Sequence, residues 1–194
     1  AKISDKIKMI TNLIDKCDTI LIGGAMAYTF LASHGNNIGA SLLDSESLDF
    51  CKNLLEKYPN KIILPIDSIC AKSINSTECE IKKINEFDND DIGLDIGPET
   101  INKFTSIIKN AKRVIINGPM GLFENPLYQN GTKSIYDCIT TNNIKTLVGG
   151  GDSASSVNKL SDPKKFYHIS TGGGATLEYL EGTPLPAISA IEDE

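Results

Sequence analysis

"LVGGGDSASS", Leu147 to Ser156, decides how this chain folds. A short apolar run, Thr146-Leu147-Val148, ends in three glycines, and a single aspartate opens a string of small residues that read as helix from Asp152 to Leu160. The same pattern returns at Ser170, where "STGGGATLE" breaks from an apolar run into three glycines and then a helix-like stretch from Ala175 to Leu180. Strand, bare backbone, helix is the unit from which the rest can be read.

Working outward, the unit recurs. Arg113-Val114-Ile115-Ile116 is a strand ending at Asn117-Gly118-Pro119, and Phe166 to Ile169 is another. Thr19 to Ile22 is a strand ending at Gly23-Gly24; Lys61 to Pro65 and Ile92 to Ile96 complete the set. Between them lie helices predicted from Ile3 to Cys17 by apolar residues three and four apart, from Met26 to Ala32, Ser45 to Lys57, Pro98 to Asn110 and Ser134 to Thr140. Pro98 suits a first helical turn. The polar stretch from Ala71 to Asp91 is expected to be an irregular surface excursion. Short continuous apolar strands alternating with helices indicate a parallel sheet covered on both faces. The expected fold is therefore α/β: a Rossmann-like parallel sheet of about six strands with helices on both faces, three layers, in a single domain over residues 1–194.

In such sheets ligands bind beyond the carboxyl ends of the strands. The glycines are expected at those ends: Gly23-Gly24, Gly93, Gly97, Gly118, Gly149 to Gly151 and Gly172 to Gly174. Glycine admits a phosphate close to the backbone, and a helix N-terminus presents unpaired amides to an anion. Gly150-Gly151-Asp152-Ser153 and Gly172-Gly173-Gly174 thus read as two anion cradles. Asp152 has two readings, a helix cap worth about 1 kcal/mol, or a ligand for magnesium, which takes one or two carboxylates plus substrate phosphates. No G-x-x-x-x-G-K-[ST] occurs, and no G-x-G-x-x-G follows the first strand, which disfavours P-loop and dinucleotide-binding sites.

Composition excludes other classes. The formal net charge is −6, which argues against a nucleic-acid interface. No run approaches the roughly 20 apolar residues of a membrane span, and no signal sequence is visible, although the sequence opens at Ala1-Lys2 without an initiator methionine. Five cysteines without a C-x-x-C suggest reduced thiols and a cytoplasmic setting. The triplets Asn75-Ser76-Thr77 and Asn130-Gly131-Thr132 read as surface turns. His34 is expected to be exposed, and His168 to be structural or inter-domain. Arg113 is the only arginine, so bidentate clamps for carboxylates and phosphates are scarce.

The motifs together resemble those of phosphoglycerate kinase. "AKISDK" (1–6), "LIGGAMAYTF" (21–30), "GLDIGPET" (93–100), "NGPMGLFE" (117–124), "VGGGDS" (148–153) and "HISTGGGATLEYLEG" (168–182) follow in that family's order. The resemblance covers the nucleotide-binding half and not the half that holds 3-phosphoglycerate. It implies magnesium with ADP or ATP as ligand, and as partner an N-terminal phosphoglycerate-binding domain of the same enzyme; a monomer is expected. By the same resemblance Lys2 contacts the phosphoryl group in flight, and Gly172 and Gly173 stabilise it with helix-start amides. Lys6 binds the nucleotide phosphates, Gly150, Gly151 and Ser153 flank them, and Asn117 and Gly118 lie beside them. Asp152 is implied to hold magnesium and Glu124 the ribose hydroxyls, while Gly23, Gly24, Leu42, Gly93 and Leu122 wall the adenine pocket. The chain departs from the pattern at Ala25, where glycine is frequent, at Leu122, where valine is usual, and in lacking the glycines that ordinarily precede Ala1-Lys2.

Three function classes remain: half of a phosphotransferase, a nucleotide-binding module without catalysis, and a dehydrogenase-like domain with an unusual glycine loop. A carboxylate in a pyrophosphate cradle opposes the third. The chain by itself is expected not to turn over.

Overall fold

The computed structural model describes residues 3–170 and 172–182. Lys2 therefore lies outside the described residues. After a 3-10 turn over Ser4–Lys6, the elements run α1 Ile7–Ile14, β1 Ile20–Leu21, α2 Ala25–Ser33, α3 Leu48–Lys57, β2 Ile62–Ile63, β3 Asp67–Ala71, β4 Glu80–Lys83 and β5 Ile92–Ile96. They continue as α4 Pro98–Ile108, β6 Arg113–Asn117, α5 Asn130–Thr141, β7 Lys145–Gly149, α6 Gly151–Leu160, β8 His168–Ser170 and α7 Gly173–Glu181.

The α/β class and the parallel strands stand as the sequence suggests. Five strands pair in parallel, β1 with β2 and β6 with β7 with β8. The remaining three form an antiparallel sheet in the order β4-β3-β5, so the region expected to be an irregular excursion instead supplies an antiparallel partner strand. Two features hid it. β3 opens with the buried polar residues Asp67 and Ser68, and β4 is an exposed edge whose apolar Ile81 is 62% exposed. Neither offers an apolar alternation to read.

The helix expected from Ile3 to Cys17 is shorter, and α1 ends at Ile14. The triplet at Asn130 does not sit in a surface turn. It opens α5, and its Gly131 and Thr132 are buried. All five cysteines are free. Among the described residues no helix is long and apolar enough to cross a membrane.

Two cores fix the layers. Phe104 and Ile108 of α4, Ile135 and Ile139 of α5 and Val157 of α6 pack with Ile116 and Val148 of the parallel sheet. Leu21 and Ile63 pack against the same cluster, which joins the two parallel ladders. Ile10 and Ile14 of α1, Phe30 of α2 and Leu54 of α3 build the second core with Ile22 and Ile62. Each fully buried large apolar side chain contributes about 1.5–3 kcal/mol by leaving water.

Two buried carboxylates join the antiparallel sheet to the helices beside it. Asp67 accepts from the amides of Glu99 at 2.8 Å and Thr100 at 2.7 Å, and from the Thr100 hydroxyl at 2.6 Å. Asp95 accepts from the amide of Gly131 at 2.7 Å. The first turns of α4 and α5 are thus capped from a neighbouring strand rather than locally: the N-cap of α4, Gly97, has no side chain, and that of α5, Gln129, makes no capping bond.

Candidate nucleotide site

The register of the parallel sheet builds the site. Asn117 of β6 lies opposite Gly149 of β7, and Gly149 opposite Ser170 of β8. Three strands therefore end in one row; β6 and β7 are followed directly by glycine, and Gly172 comes two residues after the end of β8. Beyond β7, Gly150 is the N-cap of α6 with φ +97°, a conformation that a residue with a Cβ rarely takes. Gly118, after β6, has φ +103°. Beyond β8, Gly172 caps α7.

These ends are tied to one another. The Gly118 amide donates to Ser153 Oγ at 2.6 Å, and Asn117 Nδ2 donates to the Gly149 carbonyl at 3.3 Å. Lys6 Nζ donates to the Asn117 carbonyl at 3.0 Å. A Cβ built on Gly118 would lie 3.3 Å from Lys6 Nζ, and one on Gly150 would lie 3.5 Å from Asn117 Nδ2 and 3.7 Å from Ser153 Oγ. Lys6, Asn117, Gly118, Gly150 and Ser153 are thus one cluster. Around Gly151 the space is open, with nothing within 4 Å of its Cβ position.

Asp152 is the second residue of α6 and is exposed. It is not the N-cap; Gly150 is. Its carboxylate makes no hydrogen bond or ion pair among the described residues. An exposed first-turn carboxylate beside helix-start amides, without a partner among the described residues, fits a metal ligand that shares its ion with phosphates. α7 joins the same edge through Thr176, whose Cγ2 lies 2.6 Å from the Cβ position of Gly149. Gly172 is exposed there, and Gly173 begins the helix.

The remaining expected residues form a second group. The Gly24 amide donates to the Met120 carbonyl at 3.0 Å, and a side chain at Gly23 would overlap Met120, so these two glycines pack on the loop after β6. Gly93 lies inside β5, not at a strand end, and the Tyr28 ring occupies its Cβ position. Its amide donates to Ser41 Oγ at 2.9 Å, next to Leu42, which is 68% exposed. Leu42 and Ala25 share a surface depression of about 270 Å³ with Thr29 and Leu43. The Leu122 amide donates to the Leu94 carbonyl at 2.9 Å, which fastens the loop to β5. Glu124 is exposed beyond it.

Two residues that motif reading did not single out hold this loop. Asp95 is 1% exposed, and a Cβ at Gly121 would overlap its carboxylate. Burial pushes its pKa up to about 7, against the pull of the Gly131 and Ile96 amides. A lone charge between Leu94 and Ile96 was its only signal in the sequence. Lys159 of α6 donates to the carbonyls of Phe123 and Glu124, and nothing in its local sequence marks it. His34 is exposed as expected. His168 opens β8, and it too is exposed. A separate carboxylate cluster, Asp88, Asp90 and Asp91, is already ion-paired with Lys72 and Lys82. Burial alone would raise the pKa of Asp91, but these lysines and the Asp88 amide hold it at about 2.

Comparison with known proteins agrees with the geometry. Residues 1–183 match the family model for phosphoglycerate kinase. A phosphoglycerate kinase of Lactobacillus delbrueckii subsp. bulgaricus is 47% identical over 195 residues, covering 100% of this chain and 48% of that protein. One from Finegoldia magna is 47% identical over 197 residues and is covered to 50%. The solved phosphoglycerate kinase from Coxiella burnetii superposes with a TM-score of 0.93 at 34% identity, over 97% of this chain and 50% of that one. The chain thus spans about half the length of the relatives it matches. By fold, by sequence and by the row of glycine-terminated strands, the chain belongs to the phosphoglycerate kinase family.

Proposed function

We propose that this chain is a single nucleotide-binding domain, over residues 1–194, that takes Mg-ADP or Mg-ATP at the common end of β6, β7 and β8. With an N-terminal phosphoglycerate-binding domain it would move phosphate reversibly between 1,3-bisphosphoglycerate and ADP, a glycolytic step. The observation that carries the reading is the cluster of Lys6, Asn117, Gly118, Gly150 and Ser153 at the N-terminus of α6.

Each part has a task. Lys6 brings positive charge to the strand ends. Gly118 and Gly150 let phosphate oxygens approach the backbone, and the first amides of α6 donate to them. The first amides of α7, at Gly172 and Gly173, would face the group being transferred. Lys2 would meet that group too. Asp152 would hold magnesium, which neutralises phosphate charge when bound. Glu124 would accept from the ribose hydroxyls, and Gly23, Gly24, Leu42, Gly93 and Leu122 would border the purine. No histidine base is required, because phosphoryl transfer depends mainly on positioning and charge stabilisation.

Calorimetric titration with ADP, with and without magnesium, tests the reading. Tight binding that needs magnesium is expected, and Asp152→Ala should abolish that dependence. The variant's melting temperature should change little, since Asp152 is not the helix cap. Binding indifferent to magnesium would remove Asp152 and the metal from the proposed site.

A further inference from the structure

Lys159 lies seven residues after Asp152, near the C-terminal end of α6. Seven residues is two helical turns, so both project from one side of the same helix. Its Nζ donates to two consecutive carbonyls, Phe123 at 3.1 Å and Glu124 at 2.8 Å. It also stands 6.0 Å from the centre of the Phe123 ring, and Phe123 is buried beneath it. Among the described residues the Glu124 carbonyl has no other hydrogen-bond donor. The loop is fastened at its other end by Leu122 on Leu94. At Glu124 itself, Lys159 is the fastening.

From this geometry we infer that Lys159 is a positioning residue, setting where the Glu124 carboxylate stands relative to the phosphate-binding end of α6 and so fixing how strongly ribose is preferred to deoxyribose. The inference rests on the proposed nucleotide site. One rigid helix would then carry the metal carboxylate at its first turn and the anchor of the sugar-binding loop at its last. The span between phosphate and sugar contacts would be set by helix length rather than by a loop. A lysine suits the task because a charged donor makes the stronger bonds, and one ammonium can serve two carbonyls.

The test compares ADP and 2′-deoxy-ADP binding, each with magnesium, in the native chain, Lys159→Met and Lys159→Arg. Methionine keeps the apolar stem over Phe123 but removes the donors. The native chain should prefer ADP. In Lys159→Met that preference should shrink by roughly fivefold, about the worth of one net hydrogen bond, with unchanged magnesium dependence and melting temperature. Arginine retains donors and should restore the preference. An undiminished preference in Lys159→Met, with ADP still bound, would overturn the role of Lys159 and leave the nucleotide site standing. Failure of the native chain to bind ADP at all would overturn the proposed site and this inference with it.

Discussion

Glu124 is exposed, and the protein holds its backbone rather than its carboxylate. That leaves the carboxylate available to a ligand with two adjacent hydroxyls. Charge-assisted hydrogen bonds contribute roughly 1.5–3 kcal/mol each. Glu124→Gln should therefore weaken ADP binding about tenfold or more while leaving magnesium dependence intact, as titration calorimetry would show. Asp95 makes a different prediction, about pH. Its pKa is raised from 3.8 to about 7 by burial, so the folded state favours the protonated form. Its contribution to stability is complete below about pH 3.8 and is lost as pH rises through 7. The shift corresponds to roughly 4 kcal/mol. Tyr28, which feels the Asp95 charge, is itself pushed up by burial and stays neutral across this window. Asp91, held at about 2, acts at lower pH and with the opposite sign. Urea unfolding between pH 4 and 8 should show the native chain losing stability relative to Asp95→Asn as pH rises. Parallel profiles would contradict the assignment.

Among the elements, β1, β6 and β7 were legible because each closes an apolar run that glycine stops within two residues. Arg113–Asn117 and Lys145–Gly149 fall within a residue or so of where the sequence places them. β3 was not legible, because two of its four buried positions are filled by Asp67 and Ser68. Those polar residues serve helix ends and neighbouring strands, and no local pattern announces a partner more than 30 residues away. The site divides the same way. Glycines at strand ends are readable from sequence, whereas Asp95 and Lys159 act through contacts that only the fold creates. The cap on α4 gives a test at this scale. Asp67→Ala would strand the amides of Glu99 and Thr100, while the Thr100 hydroxyl keeps the Asp67 carbonyl as an acceptor. A loss of about 3 kcal/mol is expected, which lowers the melting temperature by roughly 6–12 °C. A fall under 2 °C would mean that α4 does not depend on this carboxylate.

At the scale of the whole molecule, the sole arginine sits at the end of its strand opposite the glycine edge. Arg113 begins β6 and Asn117 ends it, which separates them by roughly 13 Å at 3.3 Å per residue. A triose phosphate bearing two anionic groups needs several cations, and this chain does not place arginine near the glycine edge. Domain closure would also exclude water and align donor with acceptor, and effective-molarity gains of about 7–11 kcal/mol depend on such alignment. The purified 194-residue chain should therefore show no turnover in a coupled assay with 3-phosphoglycerate and Mg-ATP. Adding a separately expressed N-terminal domain should restore some activity, whereas a rate near 1–100 s⁻¹ without it would place the acceptor site within these residues. The most direct measurement of the central claim is amide chemical-shift mapping as Mg-ADP is titrated into the chain. Gly118, Gly150 to Ser153 and Leu122 to Glu124 are expected to shift together and saturably, while amides at the opposite ends of β6 and β7, near Arg113 and Lys145, stay still. Saturable shifts confined to any other surface, or none at all, would contradict that claim.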